Sequence, residues 1–211
     1  MHIDVYSDVV CPWCRIGKQN LLRAIELWKE RNDEPVTVTY HAYQLDPNLP
    51  EEGRAFDEVM MRKMGGRESM KRAMDQVTRA GAAVGVTFRF DQVSRMPNTR
   101  LAHRFIALLP EERRADAVEE LFRAYFEDGA DVAQLDAIMS IAEQLGVNTP
   151  DLEKRLMSGE GGQAVDADLR KAQQIGITGV PFFIFNNRYA LSGAYPAEEL
   201  LGLMGGVNTG V

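Results

Sequence analysis

The stretch SDVVCPWC, residues 7–14, runs the end of an alternating apolar segment straight into two cysteines held two residues apart, the only cysteines in 211 residues. The residues on either side constrain the fold further. From Pro12 onward Ile16, Leu21, Leu22, Ile25 and Trp28 recur at helical spacing, with Lys18, Arg23, Glu26 and Lys29 on the other faces. Proline suits the first turn of a helix, where its missing N–H would have no partner anyway, so Cys11 falls at or just before a helix N-terminus. Upstream, HIDVYSD alternates as a short strand does. Downstream, a breaker cluster from Asn32 to Pro35 precedes PVTVTYHAYQL, a run rich in Val, Thr and Tyr. Strand, helix, strand at this spacing predicts a βαβ unit, with a parallel pair joined by a right-handed crossover.

Residues 54 to about 157 change in texture. No convincing strand longer than the GVTFRF fragment is present there, whereas amphipathic stretches cover Ala55 to Met64, Glu68 to Val84, Thr99 to Leu109, Arg114 to Phe126, Gln134 to Leu145 and Pro150 to Met157. Gly65-Gly66, Gly85, Pro97, Pro110, Gly129 and Gly146 separate them as caps and turns would. Met60, Met61, Met64, Met70 and Met74 read as core filler, and Glu111 to Arg114 as a solvated helix start. The strand pattern then returns. Gln163 to Ile175 reads as a helix closed by Gly176, ITGVPFFIFNNRYALSG as strand, Asn-Asn turn and strand, and PAEELLGLM as a helix begun by Pro196. The final GGVNTGV reads as a loose tail.

Charge and composition narrow the function. With 24 Lys plus Arg against 31 Asp plus Glu, the net charge is −7, which argues against nucleic acid or an anionic membrane as a partner. No stretch approaches the roughly 20 apolar residues needed to span a bilayer, and MHIDVYSDVV lacks the basic and apolar regions of a leader. The expectation is a cytoplasmic protein, where thiols are kept reduced. A disulfide staple across two residues would close only a small loop and stabilise little. A zinc site needs three or four ligands, and His2, His41 and His103 sit at no finger-like spacing, so no metal is expected. Thiol chemistry is what the pair suits.

That chemistry follows from position. A thiolate, not a thiol, attacks a disulfide, and a helix N-terminus places unpaired N–H groups and the positive end of the helix dipole beside the Cys11 sulfur. Cys14, one turn on, is set back where it can attack the resulting mixed disulfide. Cys11 is thus the expected nucleophile and Cys14 the resolving thiol. Pro12 removes an N–H and stiffens the turn, while the Trp13 indole offers an apolar platform.

Summed, the order is β-α-β, about six helices, then α-β-β-α. In that arrangement C11-P12-W13-C14 and T178-G179-V180-P181 fall at the same end of the sheet. The order resembles an α/β thioredoxin fold with a large α-helical insertion, the DsbA-like branch. It is similar in particular to the FrnE-like members, relatives of 2-hydroxychromene-2-carboxylate isomerase and kappa-class glutathione transferases. The stretches that carry this are SDVVCPWC, YQLDP from Tyr43, NTRLAH from Asn98 and TGVPFF from Thr178. The resemblance implies a thioredoxin-fold domain from residues 1–50 plus 160–211 and an inserted helical domain over 51–159. It also implies a cis bond between Val180 and Pro181 that turns the Val180 backbone toward substrate; a trans proline opening an edge strand is the alternative.

Asn98 reads as a helix N-cap, and His103 either as a packed helical histidine or, as the resemblance implies, a residue lining the cleft between domains. Asp8 is a cleft charge or a strand-end residue. The expected activity is thiol-disulfide exchange on a protein or small-molecule disulfide, with no bound cofactor and glutathione entering only as a co-substrate. Two alternatives stand beside it: a glutathione-dependent isomerase or transferase, and a chaperone-like binding module that uses the Met-rich helices. The isomerase branch typically has serine at the place of Cys11 and does not need Cys14, so the dithiol favours exchange. Substrate, direction of electron flow and oligomeric state are not written in any of these motifs.

Overall fold

The computed structural model describes residues 1–147 and 149–209. Strand β1 (His2–Ser7) is followed by α1 (Pro12–Lys29) and β2 (Thr37–Ala42), and β1 and β2 pair in parallel from His2 opposite Thr37 to Ser7 opposite Ala42. The chain returns to this sheet only near its end. Strand β5 (Phe182–Phe185) runs antiparallel beside β1, and β6 (Tyr189–Ser192) antiparallel beside β5, giving the order β2-β1-β5-β6. Ile3, Val5 and Tyr6 are all buried, as expected of a strand paired on both sides and covered on both faces. Three residues, Asn186 to Arg188, join β5 to β6; Asn186 and Asn187 are both at positive φ, which asparagine tolerates, and Arg188 N–H donates to the Phe185 carbonyl at 3.0 Å.

Between the two halves of the sheet lie β3 (Arg54–Ala55), α2 (Phe56–Met64), α3 (Arg67–Ala82), β4 (Arg95–Met96), α4 (Arg100–Leu108), α5 (Glu111–Phe126), α6 (Leu135–Gln144) and α7 (Thr149–Met157). Helices α8 (Gly162–Gln174) and α9 (Ala197–Thr209) flank β5 and β6 in the chain. The predicted helices all form, with bounds that move by a residue or a few. Gly65 closes α2 in the left-handed conformation, as a glycine C-cap does.

Four expectations change. GVTFRF is not a strand: Val86 and Phe88 are buried alternately with exposed neighbours, but among the described residues no second strand pairs with them. Phe88 and Phe90 instead stack on each other and meet Phe126 edge-on, so the period of two records an extended segment packed on helices. The strand-like pairing of this region is the short ribbon of β3 with β4. The stretch read as a tail continues α9 through Thr209; Gly210 and Val211 lie outside the described residues.

Lys18, read on a face away from the apolar stripe of α1, is itself buried. With Arg15 it is buried against α5, where Lys18 Nζ donates to Glu119 at 2.8 Å and Arg15 donates to Glu119, Glu127 and the Thr87 carbonyl. Burial alone would raise the Glu119 carboxyl, but Lys18 and Arg15 outweigh it and hold it below the usual range. This cluster fastens the helix that carries the cysteines to the helical layer. Finally, of the five methionines Met70 is buried, Met60 and Met74 are partly buried and pack against the core, Met61 is partly buried and Met64 is exposed; Met60, Met64 and Met74 also face a cavity described below.

Candidate active site

Cys11 is the N-cap residue of α1, in extended conformation, with Pro12 opening the helix. Its N–H donates to the Asp8 carbonyl at 3.0 Å, and its own carbonyl accepts from Cys14 N–H at 3.0 Å, so the CPWC segment is closed on itself by backbone bonds. Both thiols are free and buried. Cys11 Sγ lies 3.5 Å from the carbonyl oxygen of Val180, and the Val180–Pro181 peptide is cis. Pro181 packs against α1 at Gly17, where a β-carbon would come within 2.8 Å of its Cγ.

Cys14 sits behind its partner. Burial pushes its thiol pKa well up, and a hydrogen bond and charge from Cys11 push the same way; the Asp8 N–H and the Ser7 hydroxyl oppose them. Trp13, by contrast, is 36% exposed and forms part of the rim of a cavity of about 360 Å³ in front of Cys11. Val10, Cys11, Pro12 and Val180 form one side of it, and residues of α2, α3 and the Phe90 segment form the other.

A family model described as the DSBA-like thioredoxin domain matches residues 2–205. The chain belongs to that family. Among solved structures, a probable DsbA oxidoreductase, SCO1869 from Streptomyces coelicolor, is 27% identical with a TM-score of 0.87, covering 96% of this chain and 88% of its own. The uncharacterized protein YwbO of Bacillus subtilis is 26% identical over 89% of this chain and 88% of its own length. Two further structures share the fold at lower identity. A 2-hydroxychromene-2-carboxylate isomerase is 17% identical with a TM-score of 0.69, covering 99% of this chain and 95% of its own. The cytosolic disulfide reductase DsbM from Pseudomonas aeruginosa, solved with GSH, is 18% identical with a TM-score of 0.63, covering 96% and 93%.

Within this DSBA-like domain, the residues singled out from sequence divide in two. Cys11, Pro12, Trp13 and Val180 share one cavity wall, with Cys14 and Pro181 packed immediately behind. Asn98 and His103 are not part of that wall. Asn98 is a brace: its side chain donates to the Leu49 carbonyl at 2.6 Å and accepts from Arg100 N–H and from Gln44. His103 is buried, and its Nε2 meets Asp8 Oδ1 at 3.2 Å, while the other carboxylate oxygen of Asp8 accepts from Leu45 N–H at 2.8 Å. Asp8 lines the cavity at its floor and is 1% exposed, so it is both a cleft charge and the hub that ties the CPWC loop to α4.

The opposite wall was not read from the sequence. Met60, Met74, Val77, Phe56 and Phe90 carry no motif, and the amphipathic period that placed them on helices cannot tell a face buried in the core from one facing a cleft. Among the described residues no helix is long and apolar enough to cross a membrane.

Proposed function

We propose that the protein is a thiol-disulfide oxidoreductase acting on protein or small-molecule disulfides, with Cys11 as nucleophile and Cys14 as resolving thiol. The observation that carries this is the asymmetry of the pair. Both thiols are buried, but Cys11 caps α1, lines the cavity and lies within 3.5 Å of the Val180 carbonyl, whereas Cys14, one turn on, is not part of the lining. A disulfide R–S–S–R′ in the cleft is attacked by the Cys11 thiolate, forming a Cys11–S–S–R bond and expelling R′–S⁻. Cys14 then loses its proton and attacks Cys11 Sγ, closing the Cys11–Cys14 disulfide and releasing R–S⁻. The protein dithiol is oxidised by two electrons and the substrate disulfide reduced to two thiols; run backward, the same steps oxidise a substrate dithiol. The Val180 backbone beside Cys11 supplies polar groups that hold an extended segment of substrate near the sulfur. Glutathione is a co-substrate in this reading, consistent with the GSH seen on DsbM, and the setting is the cytoplasm.

A glutathione-dependent isomerase or transferase is the second reading, favoured by the apolar cavity beside Cys11 and by the fold shared with the isomerase. Insulin reduction and exchange with a small disulfide, measured on wild type, Cys11→Ser and Cys14→Ser, separate the two. Loss of exchange in Cys11→Ser and trapping of mixed disulfide in Cys14→Ser is the expected result. Exchange that survives Cys11→Ser sinks the proposal, and turnover of an aromatic electrophile with glutathione that survives Cys14→Ser promotes the second reading.

A further inference from the structure

The cavity in front of Cys11 has a character that exchange chemistry alone does not require. Its inner wall is made by Phe56, Met60, Met74, Val77, Phe90 and Met96, drawn from α2, α3, β4 and the segment between them. Phe56, Val77 and Met96 are buried in the core on their far sides, so the wall is backed by packed structure. Methionines fill and adapt to apolar shapes without demanding polar partners. Charge is scarce and of the wrong sign for an anionic guest: the lining holds the carboxylates of Asp8 and Asp46 and one ammonium, Lys63, which is exposed. Asp8 is already engaged by His103 and Leu45. A glutathionyl group, with two carboxylates and one ammonium, meets no cation inside. At about 360 Å³ the space lies at the small end of ligand pockets, about 300–1,000 Å³, and suits a small organic group.

We infer that the cavity selects the substrate: a low-molecular-weight disulfide with one uncharged aliphatic or aromatic arm, which inserts between α2, α3 and the Phe90 segment as its sulfur meets Cys11. This rests on the disulfide-exchange reading. The insertion buries the arm against Met60, Met74 and Val77, and the selectivity appears in the first step, where the Cys11–S–S–R bond forms and the other thiol leaves.

The test uses Cys14→Ser, which stops the reaction at the mixed disulfide, and a series of 2-pyridyl disulfides carrying methyl, propyl, hexyl, benzyl, glutathionyl or a Gly-flanked cysteinyl peptide. Each attack releases pyridine-2-thione, read by absorbance, and each rate is divided by that of N-acetylcysteine to remove intrinsic reactivity. Burying one methylene is worth about fourfold, so the normalised rate rises about twofold to fourfold per carbon, at least about thirtyfold from methyl to hexyl. The glutathionyl and peptide probes stay near the methyl probe. Met74→Glu, checked for folding by its thermal melt, lowers the hexyl-to-methyl ratio at least about tenfold. A flat series with rapid adduct formation overturns this inference alone. A glutathionyl or peptide probe faster than hexyl also overturns it, and gives the cleft to that class. No adduct on Cys11 with any probe overturns the exchange reading together with it.

Discussion

Gly17 faces Pro181 so closely that α1 has no room for a side chain there: a β-carbon on Gly17 would stand 2.8 Å from Pro181 Cγ and 3.2 Å from Phe183 Cζ. The helix that carries both cysteines is thus seated on the loop that carries Val180 by one missing methyl group. The 3.5 Å approach of Cys11 Sγ to the Val180 carbonyl depends on that seating.

Gly17→Ala tests it. Alanine inside a helix gains about 0.5–1 kcal/mol over glycine, whereas forcing an extra carbon into a packed contact costs about 1–3 kcal/mol. A proline ring cannot swing aside as a long side chain does, so the packing cost wins. The expected outcome is a net loss of about 1–2 kcal/mol in urea unfolding and slower exchange with a small disulfide. An alanine variant as stable and as fast as wild type would show that the Pro181 loop moves freely and does not fix the site.

Much of this site was legible because its signals are local. CPWC, the proline after Cys11 and the strand before it lie between His2 and Cys14, and the cysteine-to-helix geometry follows from them. The ties that complete the site are long-range and carried by ordinary residues. The helix period placed Lys18 off the apolar stripe and offered it no partner, yet Glu119, far along the chain, gives it a buried one. GVTFRF showed a true alternation, but among the described residues it has no second strand to pair with, which no local pattern can reveal. Met60 and Met74 were placed on the right helices, but whether a face meets core or cleft depends on how two layers meet.

Asp8 gives a second prediction. Its carboxylate is 1% exposed and holds His103 on one oxygen and the Leu45 N–H on the other, at 3.2 and 2.8 Å. Asp8→Ala leaves both donors without an acceptor inside the protein and costs about 2–4 kcal/mol. Asp8→Asn retains one acceptor oxygen and costs about half as much. Urea melts of both variants read the difference; equal, small losses would mean that the carboxylate organises nothing.

His41 ties the sheet to α8. Its Nε2 lies 2.6 Å from Asp4 and its Nδ1 2.8 Å from Asp168, while its ring stacks on Tyr6. Asp168 also accepts from Ala42 N–H. Burial lowers the imidazole pKa, but hydrogen bonds and charge from Asp168 and Asp4 outweigh it, so the net shift is upward. A folded value raised above the unfolded one, about 6.5, means the stabilisation is complete below that pH and is lost as pH rises through the folded value. Wild type is therefore expected to exceed His41→Gln in stability most at pH 5.5–6, by roughly 1–2 kcal/mol, with the gap narrowing toward pH 9. A gap that widens with pH would overturn the assignment of a charged imidazole to this position.

The resolving step carries its own pH signature. Burial, more than the neighbouring Cys11, lifts the Cys14 thiol well above its ordinary pKa, and the Asp8 N–H and Ser7 hydroxyl only partly offset it. In the mixed disulfide Cys11 no longer carries a thiol, but Cys14 remains buried in the first turn of α1, so burial still favours its protonated form. Only the thiolate attacks, and its fraction below the pKa grows tenfold per pH unit. Once Cys11 has taken up a small disulfide, release of the bound thiol should therefore accelerate about tenfold per unit between pH 6 and 8, without a plateau. Ser7→Ala removes one group that favours the thiolate, so the same line shifts to slower rates at every pH. Rapid-mixing measurement of thiol release, with Cys14→Ser as the control that shows no second phase, reads both slope and offset. A release rate independent of pH over this range would mean that the Cys14 proton is already gone when the mixed disulfide forms, and that burial does not govern the thiol at the moment it reacts.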